Sequence, residues 1–580
     1  MRSRVWAPAA GQVEVVIAGR RSPMTAEDGG WWSGPEIGFE TDYAFSIDGG
    51  PPRPDPRGER SPQGVHGPSR RVDHDAFEWQ DAGFGPTPLA EGVVYELHVG
   101  TFSERGTFEG AIEHLDGLVE LGISHVEVMP VHAFPGRRGW GYDVAGFFAV
   151  QEAYGGPEGL KRFVDACHGR GLAVILDVVY NHLGPEGCYL PAYGPYVTDR
   201  FRTPWGGAVN LGDAGADEVR RFIIDNALLW LRDYHVDGLR LDAVHAFIDL
   251  TATHLLEELA IAVDGLARQL DRSLVLIAES DLNDPRVLRS RELGGYGIDG
   301  QWSDDYHHAL HTMLSGERDG YYEDFDGLAD VVRALRRGWV YEGRYSRHRG
   351  RRHGRSSDGL ALERMLGYAQ NHDQVGNRAR GERLSQLVDP RALKVAAGLV
   401  VCGPFVPLLF QGEEWGASTP FLFFADFEDE ALGEAVRTGR RREFAAFGWE
   451  PEDVPDPLSE ATFERSRLDR HELGVEPHAG LLEWHRALIR LRRATSGPQS
   501  GTRPRVQADS EAGWLVAAVG ARTVAANVSR SLRSVPVEPE LAVALASDPA
   551  VSIDSGRLLL PAMSLAVLTE PPMTGTRGSR

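Results

Sequence analysis

GLRLDAVHA at residues 238–246 decides how this chain is read. As a buried strand it sends Leu239 and Leu241 to one side and Arg240 and Asp242 to the other. An arginine two residues before an aspartate on one face holds that carboxylate ionised and oriented through a charge-assisted hydrogen bond. Taken alone, the pair is a structural ion pair at a strand end. Further strand-end carboxylates along the chain change its weight.

Working outward, similar apolar runs recur: VVYELHV (93–99), HVEVMPV (125–131), LAVILDVV (172–179) and SLVLIAES (273–280). GQWSDDY (300–306), MLGYAQNHD (365–373) and VPLLFQGEE (406–414) follow. Helical segments separate most of them. The clearest has Pro157 at its start, Leu160, Phe163, Val164 and Cys167 at helical spacing, and Gly169 and Gly171 at its end. Eight buried strands alternating with helices predict an α/β fold, a (β/α)8 TIM barrel with insertions. A doubly wound open sheet is the alternative. The single GxGxxG, at Gly295, Gly297 and Gly300, precedes a strand instead of opening a helix, so it reads as a turn.

Chemistry on such a barrel sits at the C-terminal strand ends, and polar residues gather there. Glu96 and His98 follow strand one; Asp177, Asn181 and His182 follow strand three; Arg240, Asp242 and His245 close strand four; Glu279 closes strand five. Asp304, Asp305, His307 and His308 follow strand six, and Asn371, His372 and Asp373 follow strand seven. So many charges on one rim point to function, because unpaired buried charges are costly. There is no HxH or HExxH for a metal hydrolase and no GxSxG for a serine nucleophile. Carboxylates from different strands suit glycoside chemistry, where a retaining enzyme sets an anion and a protonated acid about 5–5.5 Å apart. Asp242, held by Arg240, is the anion. Glu279, in the apolar LVLIAES, is the acid kept protonated by desolvation. Trp140, Tyr142, Trp302, Tyr306 and Trp415 are candidates for stacking on a sugar, with core packing the alternative for each.

The bulk numbers agree. At 580 residues the chain exceeds one ordinary core, and 42% hydrophobic with 25% charged residues is globular composition. A net charge of −23 argues against nucleic acid or an anionic membrane as partner. Cys167, Cys188 and Cys402 show no metal-ligand spacing and cannot all pair, which predicts a reducing compartment. No leader-like or membrane-length apolar run is present, so the expectation is a cytoplasmic protein. Short alternating strands predict a β-sandwich over 1–88, ending in irregular Pro/Gly/Arg-rich loops over 51–71. The barrel is expected over 89–495, its last helix containing LLEWHRALIRLRR. A Ser/Gly/Pro break near 496–503 then leads into a small β-domain over 496–580.

Four segments, DVVYNH (177–182), GLRLDAVHA (238–246), AES (278–280) and QNHD (370–373), resemble in order the signature regions of the α-amylase superfamily, glycoside hydrolase family 13. RVWAPAAGQVEVVI resembles the starch-binding-like β-sandwich on some of its members. The resemblance spans roughly residues 1–570. It implies Asp242 as nucleophile, Glu279 as general acid/base and Asp373 as a carboxyl group that binds sugar hydroxyls and helps distort the ring. It implies Arg240 as the residue orienting Asp242, His182 and His372 as sugar ligands, and Tyr142 as a stacking platform. Asp177, His245, Asn371 and Gln374, with Trp302, Asp304, Asp305 and His307 after strand six, complete the substrate-binding set. Asn181 holds calcium in many relatives, but their further ligands are not evident here, so neither metal nor cofactor is expected.

QWSDDYHHALHTMLSGERDGYYEDF, NDPRVL and YAQNHDQVGNRARGERL are similar to the branch that cuts the α-1,4 bond beside the terminal trehalose of malto-oligosyltrehalose. That resemblance implies functional pairing with a malto-oligosyltrehalose synthase. An α-1,6 debranching hydrolase and a glycogen branching transferase share the catalytic carboxylates and are the alternatives. A non-catalytic glucan-binding barrel is the alternative from another class. The Arg-rich YEGRYSRHRGRRHGR (341–355) is expected as a solvated loop, with a lid over the cleft as its functional reading.

Overall fold

The computed structural model describes residues 2–445, 454–495 and 503–571. Its centre is a closed parallel barrel of eight strands: β1 (Val94–Leu97), β2 (His125–Val128), β3 (Ala173–Val178), β4 (Gly238–Leu241), β5 (Val275–Ala278), β6 (Gly300–Trp302), β7 (Met365–Gly367) and β8 (Val406–Phe410). Each strand pairs with its sequence neighbour, and β8 closes on β1. The open-sheet alternative is therefore excluded. The apolar runs form these strands because helices cover the outer face and the barrel interior is packed, leaving both faces dry.

Leu89, Val94, Ile175, Ile277, Trp302, Leu366, Val406 and Leu408 fill the interior as one cluster. At the C-terminal ends, polar side chains replace them. The β3–β4 register sets Asp177 beside Arg240, and the β1–β2 register sets Glu96 beside Glu127. Ion-pair chemistry thus begins where the apolar filling stops.

The helix expected at Pro157 spans Gly156–His168 (α1), and its C-cap is Gly169. Two antiparallel three-stranded sheets precede the barrel, and a five-stranded and a three-stranded sheet follow it. The expected break near 496 and the last nine residues fall on 496–502 and 572–580, outside the described residues. The segment 51–71 is more ordered than its composition suggests. Arg57 binds Asp225 at 2.8 Å, and Arg60 binds Glu152 at 2.8 Å and Glu158 at 3.0 Å. Arg57 and Arg60 are cross-braces to the barrel, a role that composition does not reveal.

Candidate active site

The site is built around Arg240, whose guanidinium is completely buried and lies over the Trp302 ring at 4.2 Å. Nη1 donates to Asp177 at 2.7 Å and to Asp242 at 2.9 Å, while Nη2 donates to Glu279 at 2.8 Å. One planar cation therefore holds three carboxyl groups from three strand ends, the fork geometry that arginine supplies and lysine does not. Directly after Asp242, Ala243 takes a left-handed backbone with φ 40. That conformation costs an L-residue roughly 1–2 kcal/mol. It also belongs to the turn in which the Ala243 N–H donates to Glu279 at 2.8 Å.

A second chain runs in from β1 and the turn after β7. The helix α2 (His372–Gly376) starts at Asn371, whose side chain accepts from the Asp373 N–H at 2.9 Å, and Gln374 returns to the Asn371 N–H at 3.2 Å. This capping box presents His372 and Asp373 at the barrel mouth. His372 Nδ1 lies 2.5 Å from Glu96, and its Nε2 lies 2.8 Å from the Tyr142 hydroxyl, which donates to Asp177 at 2.6 Å. Tyr142 also stacks on the His372 ring at 5.2 Å. The two chains meet at Asp177.

The charges are unequal, and the protonation equilibria follow. Burial raises the Glu279 carboxyl above its ordinary value against the pull of Arg240, with Asp242 adding to the rise. Burial likewise carries Asp177 to about 7, again against Arg240, and burial with Glu279 carries Asp304 to about 8. Asp373 is raised by burial while His372 opposes it. Burial pulls His372 down, but the attraction of Asp373 and Glu96 outweighs it and takes the imidazole up to about 9. Two protonated cations thus face carboxyl groups held close to neutrality, so the site can offer both an anion and an acid.

The expected residues divide by placement. Asp242, Glu279, Asp373, Arg240, Tyr142, Asp177 and His372 gather in this network. His182 lies beside it, donating through Nε2 to the Tyr142 carbonyl at 3.0 Å, with Nδ1 buried and unpartnered. Burial holds its pKa near 4. His245 is exposed at the rim, near enough for its charge to act on Glu279. Asp304 accepts from the Tyr368 hydroxyl.

Others, against expectation, are engaged by neighbouring protein groups. Asp305 Oδ2 accepts from Asn283 at 2.7 Å and from the N–H groups of Val340 and Tyr341, which ties the carboxylate to the protein through that oxygen. His307 donates to the Ala369 carbonyl at 2.7 Å and accepts from Tyr322 at 3.0 Å. Both nitrogens are used, so neither reaches the cleft. Asn371 and Gln374 form the cap of α2. Trp302 backs Arg240, and Trp140 stacks on Phe421 while donating to the Leu422 carbonyl, so neither is a free sugar platform. Tyr306 and Trp415 are core residues. The Arg-rich stretch is neither a solvated loop nor a free lid. It forms a hairpin, Glu342–Ser346 with Arg351–Gly354, pinned to the segment after Glu279 by Arg349 on Asp281 at 3.0 Å and His353 on the Asp281 carbonyl at 2.6 Å.

Two features escaped the sequence reading. Trp205, 46% exposed, stacks flat on His182 at 5.0 Å and 11°. Its signal was an aromatic between Pro204 and Gly206, where no core calls for one. Tyr321 is the second: it packs on His308 at 4.7 Å, burial raises its phenol, and the charges of Asp373 and Asp304 contribute. Among the described residues no group of three or more His, Cys, Asp or Glu is arranged for a metal ion. The Asn181 amide is buried without a partner and without such a group around it.

Residues 72–191 match the family model for the alpha amylase catalytic domain. Malto-oligosyltrehalose trehalohydrolase of Arthrobacter ramosus is 53% identical, over 85% of this chain and 87% of its own. The protein of that name from Mycobacterium tuberculosis is 46% identical over 97% and 98%. A crystal structure from Salmonella typhimurium, named as an alpha amylase, superposes with TM-score 0.89 at 36% identity, covering 98% of this chain and 97% of that one.

Proposed function

Because this chain belongs to the malto-oligosyltrehalose trehalohydrolase family of α-amylase-type glycoside hydrolases, we propose that Asp242 and Glu279 carry its hydrolysis of the α-1,4 bond beside a terminal trehalose. The Asp242 carboxylate attacks the anomeric carbon while Glu279 gives its proton to the departing trehalose oxygen. The C–O bond breaks, trehalose leaves, and a glucosyl ester on Asp242 remains. Glu279, now ionised, takes a proton from water as the water oxygen attacks the same carbon. The malto-oligosaccharide is released with its configuration retained, Asp242 is again a carboxylate and Glu279 again an acid. Asp373 and His372 hold the hydroxyls of the distorting ring, His182 accepts through its open Nδ1, and Trp205 offers an apolar sugar platform.

One observation supports this assignment most: a single guanidinium holds Asp242 and Glu279 on its two terminal nitrogens. That sets two carboxyl groups on neighbouring strand ends, with burial raising the pKa of Glu279 as a proton donor requires. The substrate implies an enzyme that builds the terminal trehalose, the synthase, as metabolic partner. Cys167, Cys188 and Cys402 are all unpaired, which supports a reducing, cytoplasmic setting. Among the described residues no helix is long and apolar enough to cross a membrane.

The test offers malto-oligosyltrehalose, maltopentaose and a branched glucan separately. Fast trehalose release with slow attack on the other two is expected. Preferential loss of branch points would replace the assignment with debranching.

A further inference from the structure

Two of the segments that carry the branch resemblance, one after β6 and one after β7, are bound to each other in space. After helix α3 (Asp304–Ser315), Gly316 takes φ 78, where an L side chain is strained, and the chain doubles back. The reversal brings Glu317 to His311 Nε2 at 2.7 Å. Glu317 also receives a two-point fork from Arg378, at 2.8 and 2.9 Å. Arg378 lies directly beyond α2, five residues after Asp373. The ion pair is about three-quarters shielded from water, and His311 and Arg378 hold the Glu317 carboxyl well below its ordinary range.

On the near side of the turn, His307 donates to the carbonyl of Ala369, four residues before Asp373. Tyr322 joins the two grips, with its hydroxyl on His307 at 3.0 Å and its ring stacked on His311 at 4.4 Å. Its neighbour Tyr321 packs against it at 4.5 Å and on His308 at 4.7 Å, within reach of the charges of Asp373 and Asp304. The β6 segment therefore holds the Asp373 turn from both sides, and the same clamp fixes Tyr321.

We propose that Glu317 and Arg378 are a specificity-determining pair, positioning Tyr321 against the Asp373 turn so that the cleft favours a trehalose-capped glucan over an uncapped one. Neither residue touches the reacting atoms; they act through Tyr321 and Asp373. The proposal rests on the trehalose-releasing assignment above. Buried two-point ion pairs suit this role because they fix a geometry whatever their net stability.

The test compares kcat/KM on malto-oligosyltrehalose and maltopentaose for wild type, Glu317→Gln, Arg378→Lys and the charge-exchanged Glu317→Arg/Arg378→Glu, with thermal unfolding measured alongside. Glu317→Gln keeps the shape, and Arg378→Lys keeps the charge but loses the fork. Each is expected to lower the capped-to-uncapped ratio about tenfold or more, with the loss concentrated on the capped substrate. Partial recovery in the charge-exchanged protein is expected. A preserved ratio in both single variants overturns the pair's role, as does an equal loss on both substrates. If wild type itself shows no preference for the capped substrate, the functional assignment fails, which is separate from failure of the clamp. Should Glu317→Gln not fold, Arg378→Lys decides alone.

Discussion

Strands β3 and β4 carry a buried ionic network at each end, and the two networks are in opposite states. At the N-terminal end His168 lies between Asp81 at 2.9 Å and Asp237 at 2.8 Å, and His235 shares Asp81 at 2.7 Å. Asp237 also accepts from Arg272 at 3.0 Å and from the Val174 N–H at 2.9 Å. Burial pushes Asp81 up, but the bonds from His235 and His168 more than offset it and keep its carboxyl low. At the C-terminal end, Glu96, Asp177, Asp242, Glu279 and Asp373 share Arg240 and His372, and Asp177 Oδ1 and Arg240 Nε have no partner. Burial raises Asp177 to about 7 and lifts Glu279 and Asp373 above their ordinary values. The lesson is that a saturated network holds a linker to the barrel, whereas an unsaturated, crowded one stores protons and donors for a substrate.

The contrast breaks most sharply at Asp242. Asp242→Asn is expected to lower kcat by about four orders of magnitude, with an unfolding midpoint equal to or above wild type because one crowded charge is gone. Loss of the midpoint together with activity would make Asp242 structural. At the other end, His168→Leu leaves two buried carboxylates without their shared partner and should cost about 3–5 kcal/mol in denaturant unfolding. Its kcat/KM per folded molecule should match wild type, and a large kinetic defect would erase the distinction between the ends.

A pH series sharpens the comparison further. His372 is raised from an ordinary value of about 6.5 to about 9. Its ion pairs therefore contribute stability that is fully present below about pH 6.5 and is lost as pH rises through about 9. The difference in unfolding midpoint between wild type and His372→Gln should be largest at about pH 6.5 and shrink as pH rises from there through about 9. A pH-independent difference would show that the imidazole is not held charged. The smallest effect belongs to Trp205→Ala, which removes one stacking face and should raise KM about fivefold with kcat nearly unchanged. An unchanged KM would leave Trp205 as a surface residue that only covers His182.

Much of this was legible in the chain. Apolar runs of the right length between helical segments specify a barrel because burial on both faces demands them, and Arg240 with Asp242 lies on one face by strand periodicity alone. Glu279 was legible as a rim carboxyl in an apolar strand, where burial raises its pKa. Other assignments failed where a polar residue looked exposed to chemistry but was absorbed by its surroundings. Asp305 and His307 were assigned to substrate by their place after β6, yet Asn283 and the N–H groups of Val340 and Tyr341 occupy Asp305 Oδ2, and Tyr322 and the Ala369 carbonyl take both His307 nitrogens. Neither spacing nor composition shows those distant partners.

By itself, then, the sequence determined the eight-stranded barrel, the rim of carboxylates and the identity of Arg240, Asp242, Glu279 and Asp373 as its polar centre. Local periodicity and burial act over a few residues, so they can be read in order along the chain. Tertiary structure alone decided which polar groups are satisfied and which stay open, that Arg240 serves three carboxyls at once, and that Glu317 grips Arg378 sixty-one positions away. Hydrogen-bond saturation and charge balance depend on neighbours brought together by folding, and no linear pattern records them.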